Sequence, residues 1–219
     1  MKLLLTSAGL SNQSIKNALI ELVQKPFTEL NLAFIPTAAN MESGDKTDWF
    51  IKDLIVLKGL DFKSIDIVDI SAVSKDVWLS RLQDADILYV EGGNTAHLMH
   101  WMKKSGLQEI LPEMLETKIY VGVSAGSMVA CNDLALNVHK YLYDETVEEP
   151  QKNDGMKLVD FSIIPHLNTS DFPNLITGNL ESVKKEINGD VYFIDDNTAI
   201  KVIDDKMEII SEGEWKLLG

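Results

Sequence analysis

Apolar residues along this chain gather into short, nearly unbroken runs separated by longer stretches of helical period. LLLTSA (3–8), NLAFIPTA (31–38), IDIVDI (65–70), ADILYVEGG (85–93) and KIYVGVS (118–124) are near-continuously apolar rather than alternating. Strands covered on both faces have that pattern. Between them, residues 12–24, 46–59, 74–83, 95–104 and 107–116 carry apolar positions three and four apart and predict helices. Strand and helix in strict alternation predict right-handed crossovers, hence an α/β fold: a mostly parallel, doubly wound sheet with helices on both faces. The last third differs. FSIIPHL (161–167) is a strand running into a loop, and 173–187 has a helical pattern. VYFIDD, TAIKVI and MEIIS are closely spaced β runs that predict hairpins at the C-terminal end. Residues 144–155, DETVEEPQKNDG, are acidic and rich in breakers, and so predict a surface loop that could close over a site. The remainder, 156–219, is short for a core of its own, so 1–219 is expected to form a single domain.

Composition narrows the function classes. Acidic residues outnumber Lys and Arg 34 to 20, a net charge of −14. A nucleic-acid partner needs clustered positive charge, so it is excluded. No apolar run approaches the roughly 20 residues that span a bilayer, so no membrane partner is expected. The opening MKLLLTSAGL is too short in its apolar stretch for a signal segment and is better suited to a first buried strand. Cys131 is the only cysteine. It can form neither an internal disulfide nor a thiolate cluster, which fits a reducing compartment and a cytoplasmic protein.

Gly122-Val123-Ser124-Ala125-Gly126 matches G-x-S-x-G between an apolar strand and a helical segment. A nucleophile at a strand end must turn sharply into a helix, and small neighbours relieve the crowding. Its hydroxyl then projects at the carboxyl edge of the sheet, where open α/β sheets bind ligands. A tight strand-to-helix turn around a buried serine gives the same pentapeptide. Glu91-Gly92-Gly93-Asn94-Thr95 likewise follows a strand and precedes a helix. Its glycines let the backbone approach a bound atom and free an N–H that could join the N–H of Ala125 as an oxyanion hole. The alternative is a glycine turn with Asn94 as helix N-cap. Neither G-x-G-x-x-G nor G-x-x-x-x-G-K occurs, so a nucleotide loop is not expected.

A serine nucleophile needs a base. His97 and His100 lie three apart on one helix without an evident third ligand, so a metal is not expected there. His139 sits in a polar stretch that predicts exposure. His166 ends the strand FSIIP at the same kind of sheet edge as Ser124 and is the candidate general base. Asp195 and Asp196 close the strand VYFI, and alternation lets only one of them reach His166. Asp196, nearer the loop, is preferred, with Asp133 and Asp144 as weaker alternatives. The order Ser124, His166, Asp196 differs from that of an α/β-hydrolase, whose acid precedes its histidine.

The set EGGNT, GVSAGS, IIPHLN and FIDDNTAI, in this order, resembles the peptidase S51 family, which contains aspartyl dipeptidase (peptidase E) and cyanophycinase. The resemblance runs from near residue 2 to about 203. It implies a fold like the class I glutamine amidotransferases, with serine in place of their cysteine. It also implies a triad of Ser124, His166 and Asp196, and an oxyanion hole from Gly92 or Gly93 together with Ala125. Asn94 and Asn168, within the matched motifs, are assigned to substrate binding. Two departures stand out. The family's acid is usually glutamate, which keeps Asp195 open. Aspartyl dipeptidases are expected to hold the substrate's aspartate with an arginine downstream of the histidine. The only arginine here is Arg81, and lysines 184 and 185 lack the bidentate fork that suits a carboxylate. The expected activity is that of a serine dipeptidase or exopeptidase on short peptides without strict N-terminal Asp specificity. No metal or organic cofactor is required, and a homodimer is allowed. A non-peptide amidase or esterase using the same triad is the alternative, as is a binding module on the same scaffold.

Overall fold

The structure is a computed structural model that describes residues 1–42, 47–145 and 153–219. The chain opens with β1 (Lys2–Thr6), α1 (Gln13–Val23), β2 (Asn31–Ile35), α2 (Asp48–Gly59), β3 (Ser64–Ile67), α3 (Lys75–Asp84) and β4 (Ile87–Val90). It continues with α4 (Thr95–Lys104), α5 (Leu107–Met114), β5 (Ile119–Val123), α6 (Ala125–Met128) and α7 (Leu136–Tyr143). The remaining elements are β6 (Ser162–Ile164), α8 (Leu180–Lys184), β7 (Val191–Ile194), β8 (Thr198–Ile203), β9 (Lys206–Ser211) and β10 (Trp215–Leu218). A seven-stranded sheet runs β3-β2-β4-β5-β1-β8-β9. Its first five strands are parallel, and β8 and β9 add antiparallel at one edge. This is the expected α/β fold, mostly parallel with helices on both faces.

The continuous apolar runs follow from that layering. Successive strand side chains point to opposite faces. Leu3, Leu5, Ala33, Ile35, Leu88, Val90 and Tyr120 pack on one face against Trp78, Leu98, Met99 and Leu111 from α3, α4 and α5. Leu4, Leu32, Phe34, Ile87, Tyr89 and Val121 pack on the other against Ile15, Leu19 and Leu22 of α1 and Leu57 of α2. Each central strand therefore feeds two cores, and no position on it can be polar without being buried. α1 starts at an Asn12 cap whose side chain accepts the Ile15 N–H, and ends at Gln24 in the left-handed conformation.

The C-terminal third departs from the expectation. VYFI does not extend the main sheet. As β7 it pairs with β6 and β10 in a separate three-stranded sheet. Only β8 and β9 form the expected edge hairpin. The helix expected over 173–187 is reduced to a 3₁₀ turn, Thr177–Asn179, followed by the short α8. Pro173 and Gly178 interrupt the backbone that the apolar spacing alone would have made helical. The strand expected over 31–38 stops at Ile35, because Pro36 has no N–H to give the ladder and a 3₁₀ turn follows at Thr37–Met41. Most of the loop expected at 144–155, residues 146–152, lies outside the described residues. Its closure over the site therefore lies outside them too.

Candidate active site

Parallel strands β4, β5 and β1 lie side by side and end at a common edge. Ser124 follows β5 with φ 46° and ψ −110°, a conformation that costs an L-residue of order 1–3 kcal/mol and is sustained by its surroundings. Two bonds from the end of β1 supply that support. Thr6 O accepts the Ser124 N–H at 3.0 Å and the Ser127 hydroxyl at 2.7 Å. Gly126 packs so closely beneath β4 that a methyl group there would overlap the carbonyl oxygen of Val90. The small residues of G-x-S-x-G are thus demanded by a neighbouring backbone.

The smaller sheet delivers the partners. His166 leaves β6 through Pro165 with φ 70°, and Asp196 leaves β7. His166 Nε2 lies 2.9 Å from Ser124 Oγ, and Nδ1 lies 2.7 Å from Asp196 Oδ1. Tyr143 and Phe172 flank the imidazole, with ring centroids 6.5 and 5.0 Å away. Tyr143 also donates its hydroxyl to Pro165 O. Burial pushes the Asp196 carboxyl upward. The hydrogen bond and charge of His166, with a bond from Ser7, outweigh that and hold it below the usual carboxylate value.

The other acids are engaged elsewhere. Asp195 turns to the opposite face, where its carboxylate accepts Thr198 Oγ1, the Asn197 N–H and the Glu214 N–H. Asp133 accepts the Ala135 N–H, and Asp144 pairs with Lys140. His139 is buried rather than exposed: it lies on α7, a helix the polar pattern concealed, and bonds Glu145 and Leu134 O at 2.9 Å each. Among the described residues no group of three or more His, Cys, Asp or Glu is placed to hold a metal.

The glycine loop lies against the serine, since a Cβ on Gly92 would sit 3.2 Å from Ser124 Cβ. Gly92 cannot donate freely, because its N–H is held at 2.8 Å by Oε1 of Glu91. Among the described residues no acceptor takes the N–H of Gly93 or of Ala125. Gly93 has φ 122°, and a Cβ there would approach Ala38 to 2.5 Å, so only glycine fits. Asn94 caps α4 by accepting the His97 N–H and also lines the cavity beside Ser124. Asn168 does not line it. Its side chain is bound to Thr177 and Glu214 and braces the 166–177 loop.

Sequence reasoning missed Ser7. Its hydroxyl accepts the His166 N–H at 2.8 Å and donates to Asp196 Oδ1 at 2.7 Å. The cavity over these groups is about 940 Å³, within the range of small-ligand sites. Glu42, Asp53, Glu91, Asp144, Glu145 and Asp171 line it besides Asp196, and among the described residues no Lys or Arg does. Arg81 is bound to Asp66 and to Ile67 O at the far edge of the main sheet. No helix among the described residues is long and apolar enough to cross a membrane.

The profile of Peptidase family S51 matches residues 3–210. An uncharacterized peptidase of Listeria monocytogenes is 30% identical over 151 residues, 66% of this chain and 69% of that protein. Peptidase E of a Nostoc species is 29% identical over 207 residues, 91% of this chain and 78% of its own. Among solved structures, a peptidase E protein of Listeria monocytogenes superposes with a TM-score of 0.79 at 23% identity, over 97% of this chain and 98% of that one. A peptidase from an acI-B1 actinobacterium gives 0.67 at 18% identity, over 99% and 93%. At such identities the structures speak for the fold alone, whereas the profile covers nearly the whole sequence: this chain belongs to peptidase family S51 and is a serine-type peptidase.

Proposed function

We propose that the chain hydrolyses short peptides, as a dipeptidase or exopeptidase, through an acyl-enzyme on Ser124. The observation that carries this reading is the unbroken line of hydrogen bonds from Ser124 Oγ through His166 to Asp196 Oδ1 at the wall of the cavity. With its Nδ1 proton given to Asp196, His166 has Nε2 free to accept the Ser124 proton as the serine attacks a peptide carbonyl. The N–H groups of Gly93 and Ala125 receive the developing oxyanion. His166 then protonates the leaving amine, and water takes the acyl group off Ser124 by the same route in reverse.

Strict selection of an N-terminal aspartate is not part of the proposal. No guanidinium is within the described cavity wall, and Arg81 is committed to Asp66. Asp-Leu, Ala-Leu and Leu-Leu should therefore differ little in favour of aspartate, and a strong preference for Asp-Leu would refute this part. The nucleophile is tested by fluorophosphonate labelling and mapping of the modified residue. Label on Ser124, lost in Ser124→Ala along with at least about 10³-fold of peptide hydrolysis, is the expected result. Hydrolysis that survives the substitution would refute it.

A further inference from the structure

Among the described residues, two histidine–carboxylate pairs each contribute a carboxylate to the cavity wall. His166 and Asp196 belong to the triad. His139 and Glu145 form the second pair, which the mechanism above does not use. Asp53 and Glu91, also at the wall, satisfy each other through a hydrogen bond, and burial raises both carboxyls.

Hydrogen-bond counting fixes the protons of the second pair. His139 is fully buried on α7, and its Nε2 lies 2.9 Å from Leu134 O. A carbonyl oxygen only accepts, so Nε2 carries a proton and donates it. Nδ1 lies 2.9 Å from Oε2 of Glu145, and a carboxylate also only accepts. Both ring nitrogens therefore donate, which makes His139 an imidazolium bound to a carboxylate whose side chain is only 9% exposed. His166 differs, because its Nε2 faces a hydroxyl that can donate to it.

Glu145 gives its second oxygen to another element. Oε1 accepts the Ala96 N–H at 3.3 Å, in the first turn of α4. That N–H is one of the helix-start donors that no carbonyl of the same helix can reach, and negative charge is favoured there. Asn94 takes the next such donor, the His97 N–H. Gly93 directly precedes Asn94, and its N–H is the one assigned to the oxyanion. The other anchor of this turn is Ala38 O, which accepts the Asn94 N–H at 3.1 Å. Loosening the first turn of α4 therefore leaves Gly93 held from one side. On the same end of α7, Tyr143 sets its ring edge-on to His139, with centroids 5.3 Å apart, and donates its hydroxyl to Pro165 O beside the base. The end of α7 thus reaches both halves of the machinery.

We propose that His139 and Glu145 are positioning residues: an ion pair that locks Glu145 onto the first turn of α4 and so holds the Gly93 N–H where the oxyanion forms. This rests on the proposed function, because the oxyanion arises only if Ser124 attacks a carbonyl. The imidazolium anchors one oxygen of Glu145, so the other cannot swing away from Ala96. Displacing an aligned group by about 1 Å costs on the order of 10²-fold in rate.

The test uses the whole chain, a fluorophosphonate probe and Ala-Leu as substrate. A wild-type chain that neither labels on Ser124 nor cleaves the peptide would refute the proposed function itself. With both established, kcat is counted per site labelled at completion, so unfolded protein is excluded. Glu145→Ala should lower kcat about tenfold or more while KM stays within about twofold, because the substrate contacts remain. Glu145→Gln should keep kcat within about threefold of wild type, since its amide oxygen can accept the Ala96 N–H and its amide N–H can donate to Nδ1 of a neutral His139. Ring N–H signals in NMR report the pair directly: His139 should show both ring protons in the wild-type chain and only the Nε2 proton in Glu145→Gln. Wild-type kcat in Glu145→Ala, or a raised KM with unchanged kcat, overturns the proposal. So does a loss in Glu145→Gln as large as in Glu145→Ala, or a single ring N–H on wild-type His139. If Glu145→Ala does not fold, Glu145→Asp takes its place, since a side chain one methylene shorter cannot reach both Ala96 and His139.

Discussion

Ser7 Oγ lies 2.7 Å from Asp196 Oδ1, the same oxygen that takes the bond from His166 Nδ1. The same hydroxyl accepts the backbone N–H of His166 at 2.8 Å, so one buried side chain holds both His166 and Asp196. Its proton, spent on Asp196, orients the carboxylate, and its lone pair stabilises the left-handed backbone at His166. Ser7→Ala should lower kcat about tenfold while leaving KM nearly unchanged, because substrate contacts stay and only alignment of the relay is lost. A rise in KM with unchanged kcat would contradict this positioning role. So would Ser7→Thr failing to restore any of the loss, since threonine keeps the hydroxyl.

The neighbouring acids part company in the same way. Asp196→Asn keeps the shape but presents an amide to His166 and can hold the imidazole in the wrong tautomer. By analogy with other triads the loss should be of order 10²–10⁴ in kcat. Asp195→Asn removes an acceptor for Thr198, Asn197 and Glu214 at the turn between the two sheets. That change should lower stability by about 1–3 kcal/mol and spare the labelling rate of the folded fraction. Denaturant midpoints together with single-turnover labelling separate the two; a reversed pattern would exchange their roles.

These residues also mark how far the sequence could be read. The parallel sheet was legible because its central strands are almost continuously apolar, and two cores explain why. The meeting of Ser124, His166 and Asp196 was legible because each ends an apolar run, and strand ends meet at one edge. Ser7 was not, since a serine after a first strand carries no motif, and its role depends on two loops more than 150 residues away. VYFI and TAIKVI, separated by so short a turn, have the pattern of a hairpin, yet the chain changes sheets within that turn. The turn is held by Asp195, whose bonds a sequence does not display. The engagement of Gly92 by Glu91 was hidden for a similar reason. A glutamate before two glycines gives no sign that its carboxylate will fold back on the next N–H.

Gly126→Ala is a test of the elbow itself. A methyl group there overlaps Val90 O, a backbone atom of the strand leading to the glycine loop. Relief requires β4 and β5 to separate at the edge where Ser124 and Gly93 must stay in register. We expect a stability loss of about 1–3 kcal/mol and a fall in Ser124 labelling larger than the loss of folded protein accounts for. Wild-type labelling in folded Gly126→Ala protein would mean that the turn tolerates more than its packing suggests.

The Asp53–Glu91 pair makes stability depend on pH with a definite sign. Asp53 is raised to about 6 in the folded chain, against roughly 3.9 for an unfolded aspartate. Between those values the folded state holds a proton that the unfolded state has released. The associated stability is fully present below about pH 4 and is lost as pH rises through 6. Asn at this position has no proton to lose, so the gap between Asp53→Asn and wild type should move in favour of the variant as pH rises from about 4.5 to about 7.5. Two pH units correspond to an upper bound near 3 kcal/mol, and a change of about 1–3 kcal/mol is expected in urea unfolding. A gap that is flat with pH would show that Asp53 ionises normally in the folded chain.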